Sequence, residues 1–489
     1  MSTIVDMPAS IPVLKKTCFE IDPRPLDEMS SPHAGLLATS RVFRSLGLPA
    51  IIASNISTKQ RQRGYIEGQL IESMVLLQTV GGDCIEDMKT IAGDECLERG
   101  LGYVLPKVNT LRDFLNRFHD EELAQLRPPR EEQKSFILEP SKPLAGLQKV
   151  LSGSVRAIAG VMDTQHCPQR IATVDLDATI IESHKAAAYP HYDGGRGYQP
   201  VVAVWAEANL VLADEFRDGN VPARHEPLTC AKLAFEALPE TVTERYFRGD
   251  SACHERGLLE WLNSDDRARE PGGRIGFCVS AVVSKALAAE LAKLDDSAWK
   301  TIGRDPDGTL RQWAEVDYLP SELYECKADT GKPLRYVGLR LLKSQGLLFA
   351  DGSDRMHFAV ITNLDWTGDR LLPWHREKAG TIEHVHDEIK NGFAGAHLPS
   401  QHVAVNAAWF KLALLSYNIA SAIKDLCFDR EERTARMKRY RLLIVHLSGR
   451  MSRFQNKLRL RFRASDEAIQ RMVKVWEVFG LPTQATAPA

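Results

Sequence analysis

The sequence predicts a mixed α/β fold preceded by a helical N-terminal part. Three strand-like runs, IATVDLDATII, YQPVVAVWA and LVLADEFR, follow one another with turn residues between them, as in an antiparallel sheet. Helix-like LTCAKLAFEAL, strand-like RYFRGD, helix-like HERGLLEWLN and strand-like RIGFCVSAV then alternate along the chain. Three strands followed by alternating helices and strands indicate one mixed sheet with helices packed on it.

Helical periodicity dominates the chain before these strands. GQLIESMVLLQTV places apolar residues three to four apart, and NTLRDFLNRF offers Asn109 or Thr110 as an N-cap before a second such run. Changes of pattern then divide the chain into five predicted parts. These are an extended arm (1–25), a helical N-terminal domain (26–150), an α/β core (151–281 and 373–426), a β-rich insertion (282–372) and a basic C-terminal region (427–489).

Composition narrows the functional class. The 489 residues are 44% hydrophobic and 26% charged with a formal net charge of −2, which is typical of a soluble protein of about three domains. Binding to nucleic acid would therefore need basic charge gathered in patches. The nine cysteines include no CxxC pair, which favours a reducing cytoplasm over a zinc ribbon or a disulfide framework. Neither a signal peptide nor an uninterrupted run of about 18 apolar residues is visible, so we expect no membrane segment.

Three acidic segments carry the predicted chemistry. Asp177 lies near the end of a strand-like run, Asp250 ends another, and Glu383 lies on an amphipathic helix. Two-metal phosphodiester chemistry needs carboxylates that converge from separate elements, because Mg²⁺ prefers hard oxygen ligands. The layout of strand, strand and helix therefore predicts a metal-dependent nuclease.

The pattern around each of these acids also allows another interpretation. Asp175 and Asp177 point to the same face of a strand, and Asp177 is preferred as metal ligand because it is nearer the carboxyl end, with Asp175 as the alternative. Asp250 could instead cap the helix after it. Glu383 has other acidic neighbours, but Lys390 lies seven residues later, two helical turns on, and could reach a phosphate. His384 and His386 are two apart on a helix and make a poor zinc pair.

Basic residues gather in two places. SNISTKQRQRGY carries Lys59, Arg61 and Arg63, which form either a solvated face or a phosphate contact. Residues 430–463 hold twelve Lys or Arg residues against two acids, and KLRLRFR alternates between basic and apolar positions. This second segment is either a DNA-binding strand or a charged sheet edge that discourages aggregation. Its predicted DNA-contacting residues are Arg453, Lys457, Arg459 and Arg461.

Several motifs together resemble a known family. GRGYQP, FRDGN, RGDS and EKAGTIEHVHDEIKNGF occur in this order, and from about residue 30 to 465 the chain resembles bacterial insertion-sequence transposases of the IS thirteen-eighty group. The resemblance implies a ribonuclease-H-like catalytic core with Asp177, Asp250 and Glu383 as a DDE triad. It also implies two Mg²⁺ ions per site, replaceable by Mn²⁺, and double-stranded DNA as the partner, namely terminal inverted repeats and target DNA. Two DNA ends imply a homodimer.

The resemblance also suggests residues that position DNA. Arg217 and Asn220 of FRDGN are expected to contact DNA, with a structural turn as the alternative, and Arg376 or Lys378 to supply a phosphate contact before Glu383. Two other functions stay open. One is a ribonuclease-H-like nuclease without strand transfer, and the other is a domesticated DNA-binding protein. The expected location is the bacterial cytoplasm, at the nucleoid.

Overall fold

The computed structural model describes most of the chain, namely residues 29–59, 63–132, 134–264, 273–318, 320, 334–344, 347–455 and 457–480. The predicted extended arm and Arg61 lie outside the described residues.

Helices build the first part of the described chain, as predicted. They are α1 (Leu36–Ser45), α2 (Leu48–Asn55), α3 (Glu67–Val80), α4 (Glu95–Leu101), α5 (Val108–Asn116), α6 (Glu121–Gln125) and α7 (Lys142–Thr164). The predicted helices in GQLIESMVLLQTV and NTLRDFLNRF are confirmed as α3 and α5. The predicted cap of α5 is wrong, because Lys107 takes that position and the helix already includes Asn109 and Thr110.

A mixed sheet forms the centre of the molecule. Strands β2 (Ile171–Ala178), β6 (Val201–Trp205) and β7 (Leu210–Glu215) pair antiparallel, as the sequence predicted. Strand β8 (Glu244–Gly249) runs parallel to β2, and β9 (Ile275–Ser280) runs parallel to β8. The prediction of one mixed sheet is therefore confirmed.

The stretch predicted as a β-rich insertion continues this sheet. It contributes β10 (Lys300–Arg304), β11 (Leu310–Val316), β12 (Arg335–Leu342) and β13 (Arg355–Thr362), which pair antiparallel in sequence order. Because β13 pairs with β9, the sheet has nine strands in the order β10-β11-β12-β13-β9-β8-β2-β6-β7. A small separate sheet, β3 (Ile181–Glu182), β4 (Tyr189–Pro190) and β5 (Arg196–Tyr198), lies between β2 and β6 in the chain.

Further helices follow the strands. They are α8 (Pro227–Ala237), α9 (Arg256–Asn263), α10 (Lys285–Lys293), α11 (Gly368–Asp387), α12 (Val403–Cys427), α13 (Met437–Tyr440) and α14 (Asp466–Val478), with π-helical turns at Glu388–Gly392 and Arg441–Val445. By length and composition α12 could cross a membrane, but its apolar stretch is entirely buried inside the protein. It packs against α3, α7 and β7 and is the central helix of the core.

The C-terminal region returns to the N-terminal helices. Strands β14 (Gly449–Phe454) and β15 (Lys457–Phe462) form a hairpin, and β14 pairs with β1 (Ser30–Ser31). The main cluster of buried apolar residues extends from Leu36 to Phe479 and includes the helices of the N-terminal part. The predicted helical domain therefore shares its core with the sheet, and its boundaries stay a prediction.

Candidate active site

Two of the predicted acids lie at the ends of adjacent parallel strands. Asp177 is the penultimate residue of β2, and Asp250 directly follows β8. The two strands are in parallel register, with Leu176 opposite Gly249. Their carboxyl ends therefore meet at one edge of the sheet, where ligands bind in open α/β sheets.

Asp250 also caps the short 3-10 turn that follows it. Its carboxylate accepts a hydrogen bond from the backbone N–H of Ala252 at 3.0 Å. The turn passes so close to the strand that a Cβ on Gly249 would lie 2.6 Å from Sγ of Cys253. Glycine is needed here because it has no Cβ, as the RGDS motif suggests. The capping role and a catalytic role are compatible, since capping leaves one carboxylate oxygen for another partner.

A buried ammonium group lies beside these aspartates. Nζ of Lys378 is 3.0 Å from Oδ2 of Asp177, and the lysine side chain is only 9% exposed. Burial raises the pKa of Asp250, the charge of Lys378 opposes this rise, and the charge of Asp177 adds to it. One lysine thus partly compensates two carboxylates. The sequence predicted Lys378 as a phosphate contact, whereas in this arrangement it faces the acids.

The third predicted acid lines the same cleft from helix α11. This cleft has a volume of about 1330 Å³, and its lining includes Asp177, Asp250 and Glu383. Glu383 is exposed to solvent. Among the described residues, no group of three His, Cys, Asp or Glu side chains is close enough to hold a metal ion. The three acids therefore share a cleft without forming a closed set of ligands.

Arg248 attaches α11 to the sheet. Its Nε and Nη2 donate to the two carboxylate oxygens of Asp175 at 2.6 and 2.9 Å. Its Nη1 donates to the carbonyl oxygen of Trp374 at 2.6 Å and lies 3.3 Å from Oε2 of Glu377. Asp175 is fully buried and both of its oxygens are occupied by Arg248. In this arrangement Asp177, rather than the alternative Asp175, faces the cleft.

His386 is buried near the acids. The sequence predicted no catalytic or binding role for it. Burial lowers the pKa of His386 to about 4, although the charge of Asp177 opposes the shift. Its Nε2 has no hydrogen-bond partner in the part of the chain that the structure describes. The signal that could have found it is its spacing of three residues from Glu383, which places both on one face of α11.

The expected relation between Glu383 and Lys390 does not hold. It assumed a continuous α-helix, but α11 gives way to the π-helical turn that contains Lys390, and a π turn changes the register of the faces. Nζ of Lys390 donates to the carbonyl oxygen of Ile180 at 3.4 Å. Lys390 is therefore close to the strand end, but it is not part of the cleft lining described above.

The remaining predicted DNA contacts differ in accessibility. Arg376 lines the cleft and pairs with Asp305 at 3.3 Å, with most of its side chain exposed. Arg217 is buried, and its guanidinium donates to Glu215 and to the backbone carbonyls of His225 and Glu226. Its expected contact with DNA does not fit this burial, and the alternative of a structural turn describes it better.

Asn220, the other predicted contact of FRDGN, lines a second pocket. Its Nδ2 donates to the carbonyl oxygen of Lys134 at 2.9 Å, while its Oδ1 is buried without a described partner. The pocket also includes Asp177 and Asp250, so Asn220 lies near the acids.

The described residues of the two predicted basic surfaces are not part of the cleft lining. Lys59 donates to the carbonyl oxygen of Arg63 at 3.2 Å, and both residues precede α3. The predicted alternating strand is confirmed as β15, an edge strand, on which Leu460 and Phe462 pack against the core. Its basic residues, and one on β14, are exposed: Arg453, Lys457, Arg459 and Arg461.

Comparison with known proteins gives the family. The chain matches the model of the family described as "Transposase DDE domain group 1" over residues 27–475. The chain belongs to this family. The protein is therefore a DDE transposase, an enzyme of DNA transposition, and DDE transposase domains generally use divalent metal ions.

Other comparisons are more distant. No curated protein matches the chain. Among solved structures, the chain is similar to the cryo-EM structure of a piggyBac transposase synaptic complex with hairpin DNA. The identity is 9%, the TM-score is 0.41, and the similarity covers 84% of this chain and 80% of that one.

Proposed function

We propose that Asp177, Asp250 and Glu383 are the catalytic triad of this DDE transposase. The observation that carries the proposal is their placement. Two acids end adjacent parallel strands, and the third lines the same cleft from a helix that Arg248 attaches to the sheet. We further propose a ribonuclease-H-like core. The strand order β7-β6-β2-β8-β9, with three antiparallel strands followed by parallel ones, supports it.

Divalent cations would bind to these acids after Lys378 has moved away from Asp177 and the three acids, which do not form a metal-binding group in this arrangement, have come closer together. Carboxylate oxygens are the ligands that Mg²⁺ prefers, and an ammonium group already lies at this position. Asp177, Asp250 and Glu383 would together hold two Mg²⁺ ions, and Mn²⁺ would substitute. Bound ions would activate the attacking oxygen and stabilise the leaving oxygen of the phosphodiester.

The protein's own groups would then orient the DNA. Arg376, which is exposed at the cleft, would contact a phosphate, and Lys378 would become available for a second contact after leaving Asp177. The N-terminal helices and the basic C-terminal region would hold the terminal inverted repeats of a bacterial insertion sequence of the IS thirteen-eighty group. Two repeats would be held by a homodimer, acting at the nucleoid in the cytoplasm.

Single substitutions of the triad test this proposal. Asp177→Asn, Asp250→Asn and Glu383→Gln should each lower cleavage of the element's ends by at least a hundredfold, because the ligand charge is lost while the shape is kept. DNA binding measured by gel shift should stay within about threefold of wild type, since phosphate contacts dominate affinity. Asp369→Asn, an exposed aspartate in the first turn of α11, is the matched control and should cleave normally.

Two results would contradict the assignment. Cleavage near the wild-type rate by any one variant would remove that residue from the triad. A normal rate for Asp177→Asn together with an inactive Asp175→Asn variant of unchanged thermal stability would move the first ligand to Asp175. Joining of a pre-cut element end to target DNA would distinguish a transposase from a nuclease without strand transfer.

A further inference from the structure

A pocket that contains none of the three proposed catalytic acids lies between the N-terminal helices and the sheet. It has a volume of about 810 Å³, within the range of small-molecule sites. Residues of α2, α7, α8, α12 and the end of β7 line it. The apolar side chains of this lining include Ile51, Leu138, Leu144, Leu233, Val403 and Ala407.

A buried ion pair belongs to the same lining. Nζ of Lys411 on α12 donates to Oδ1 of Asp214 on β7 and, at 2.7 Å, to Oε1 of Gln148. Asp214 and Lys411 are each only 5% exposed. Oδ2 of Asp214 is buried as well, but it has no hydrogen-bond partner in the part of the chain that the structure describes. Because a buried carboxylate oxygen without a donor is costly, this atom indicates a molecule in the pocket that supplies one.

The remaining polar groups of the lining ask for no second contact. Both ends of the Gln148 amide are engaged, since its Oε1 accepts from Lys411 and its Nε2 donates to the carbonyl oxygen of Leu212 at 3.2 Å. Among the buried side-chain atoms of the described lining, only Oδ2 of Asp214 lacks a partner. A ligand that fits this pocket therefore needs one donor and is otherwise apolar.

The charges around the pocket favour a neutral donor. Lys411 already compensates Asp214, so an ammonium at Oδ2 would be repelled by that of Lys411, and a phosphate would be repelled by Asp214. Glu215, the next acid of the lining, pairs with the buried Arg217. The other charged residues of the lining are exposed and include both signs, namely Glu139, Lys149, Arg156, Glu226 and Glu236.

The sheet connects this pocket to the active site. Asp214 of β7 pairs with Val202 of β6, and Val202 pairs with Asp177 of β2. Side chains of directly paired residues lie on the same face of a sheet. Asp214 and Asp177 are therefore on one face, two strands or roughly 10 Å apart.

We propose that this pocket binds a neutral, mainly apolar small molecule that donates one N–H or O–H group to Oδ2 of Asp214. The apolar body of the molecule packs between α7, α8 and α12. The inference does not depend on the proposed function, because none of the three proposed catalytic acids takes part. A ligand at this place stabilises the folded protein by mass action, since its site joins the N-terminal helices to the sheet.

Indole and 1-methylindole test the pocket, because they share an apolar ring system and only indole has an N–H donor. Binding of each to the full chain is measured by equilibrium dialysis at neutral pH. Wild type should bind indole with a Kd on the order of 0.5 mM. It should bind 1-methylindole about fivefold more weakly, because Oδ2 of Asp214 then stays unpaired.

Two variants of α8 locate the binding site. Thr229→Trp, at an exposed position of the lining, should weaken indole binding by about fivefold or more, because the indole side chain fills the pocket. Lys232→Trp is the matched control, since Lys232 is exposed on the same helix outside the lining, and it should bind indole like wild type.

Four results would overturn the proposal. They are equal affinities of wild type for the two ligands, unchanged indole binding by Thr229→Trp, equal weakening by Lys232→Trp, and no binding of indole to wild type at about 2 mM. The last result would leave ordered water as the partner of Oδ2. The double variant Asp214→Leu/Lys411→Met replaces the ion pair by apolar groups and should bind both ligands equally, whereas a retained preference for indole would also contradict the proposal.

Discussion

At the scale of single residues, the charge balance of the cleft depends on Lys378. Without a metal ion, Asp177 and the buried Asp250 would repel each other, and the ammonium of Lys378 offsets part of this repulsion. An ammonium and a divalent ion cannot occupy the same place, so metal binding requires the lysine to leave. We therefore expect Lys378 to compete with the metal in the protein without DNA, and an incoming phosphate to favour its departure.

Removing this lysine should strengthen metal binding. Without DNA, Lys378→Met should bind Mn²⁺ on the order of tenfold more tightly than wild type, equivalent to about 1.4 kcal/mol. The metal-free variant should also melt at a lower temperature and recover when Mn²⁺ is added, because two neighbouring carboxylates then lack a cation. Calorimetric titration and thermal melts measure both effects. Lys390→Met, a lysine outside the cleft lining, is the control, and equal Mn²⁺ affinities for wild type and Lys378→Met would refute the competition.

At the scale of elements, one buried ion pair contributes to the attachment of α11 to the sheet. Arg248 of β8 occupies both oxygens of Asp175 and also reaches the backbone of α11 at Trp374. A buried charge without its partner is costly, whereas replacing both charges by apolar groups costs much less. The pair thus links the strands that carry the two aspartates to the helix that carries Glu383.

Substitution of this pair should be strongly non-additive. Arg248→Met should lower the free energy of unfolding by about 3–5 kcal/mol, because Asp175 is left buried without a cation. The double variant Asp175→Leu/Arg248→Met should recover a large part of that loss, yet cleave poorly because α11 has lost its attachment. Urea unfolding and cleavage rates measure the two effects. A double variant whose loss equals the sum of the single losses would show that the two residues act independently.

The basic hairpin β14–β15 is an element with two possible roles. If Arg453, Lys457, Arg459 and Arg461 contact phosphates, replacing all four with Gln should weaken binding to all DNA sequences and lower the salt dependence by roughly one unit per lost contact. The control replaces four exposed basic residues of α10 and β10, namely Lys285, Lys293, Lys300 and Arg304. A salt titration showing equal slopes for wild type and the hairpin variant would leave protection of a sheet edge as the role of this charge.

The sequence predicted the secondary-structure elements better than it predicted the tertiary contacts between them. Alternating apolar residues and turn signals gave β2, β6 and β7 because these patterns are local. The pairing of Asp175 with Arg248 joins residues 73 positions apart, and no local pattern encodes it. The π-helical turn after α11 was missed for a related reason, since its sequence reads as an ordinary helix. Asp177 and Asp250 stand out in the sequence because carboxylates contrast with their apolar surroundings. Lys378 was predicted only as a phosphate contact and His386 was given no role, because both resemble any other residue of a helix.

At the scale of the whole molecule, helices and sheet share one main core around α12. This helix is almost entirely buried and carries ionisable groups in its last turn, among them Asp425. Burial raises the pKa of Asp425 to about 6, although Lys424 and Arg433 oppose the shift. Ionisation of this carboxyl therefore acts against the packed core at neutral pH.

This burial predicts a pH-dependent gain in stability for Asp425→Asn. The pKa of the carboxyl is 3.8 in the unfolded chain and about 6 in the folded protein, so folding favours its protonated form. The stabilisation from that proton is complete below pH 3.8 and is lost as the pH rises through about 6. The free energy of unfolding of the variant should be close to that of wild type near pH 4. Near pH 7.5 it should be about 3 kcal/mol higher than that of wild type. Urea titrations at the two pH values measure the difference, with Asp429→Asn, at an exposed position, as the control variant, and a pH-independent difference for Asp425→Asn would contradict the assignment.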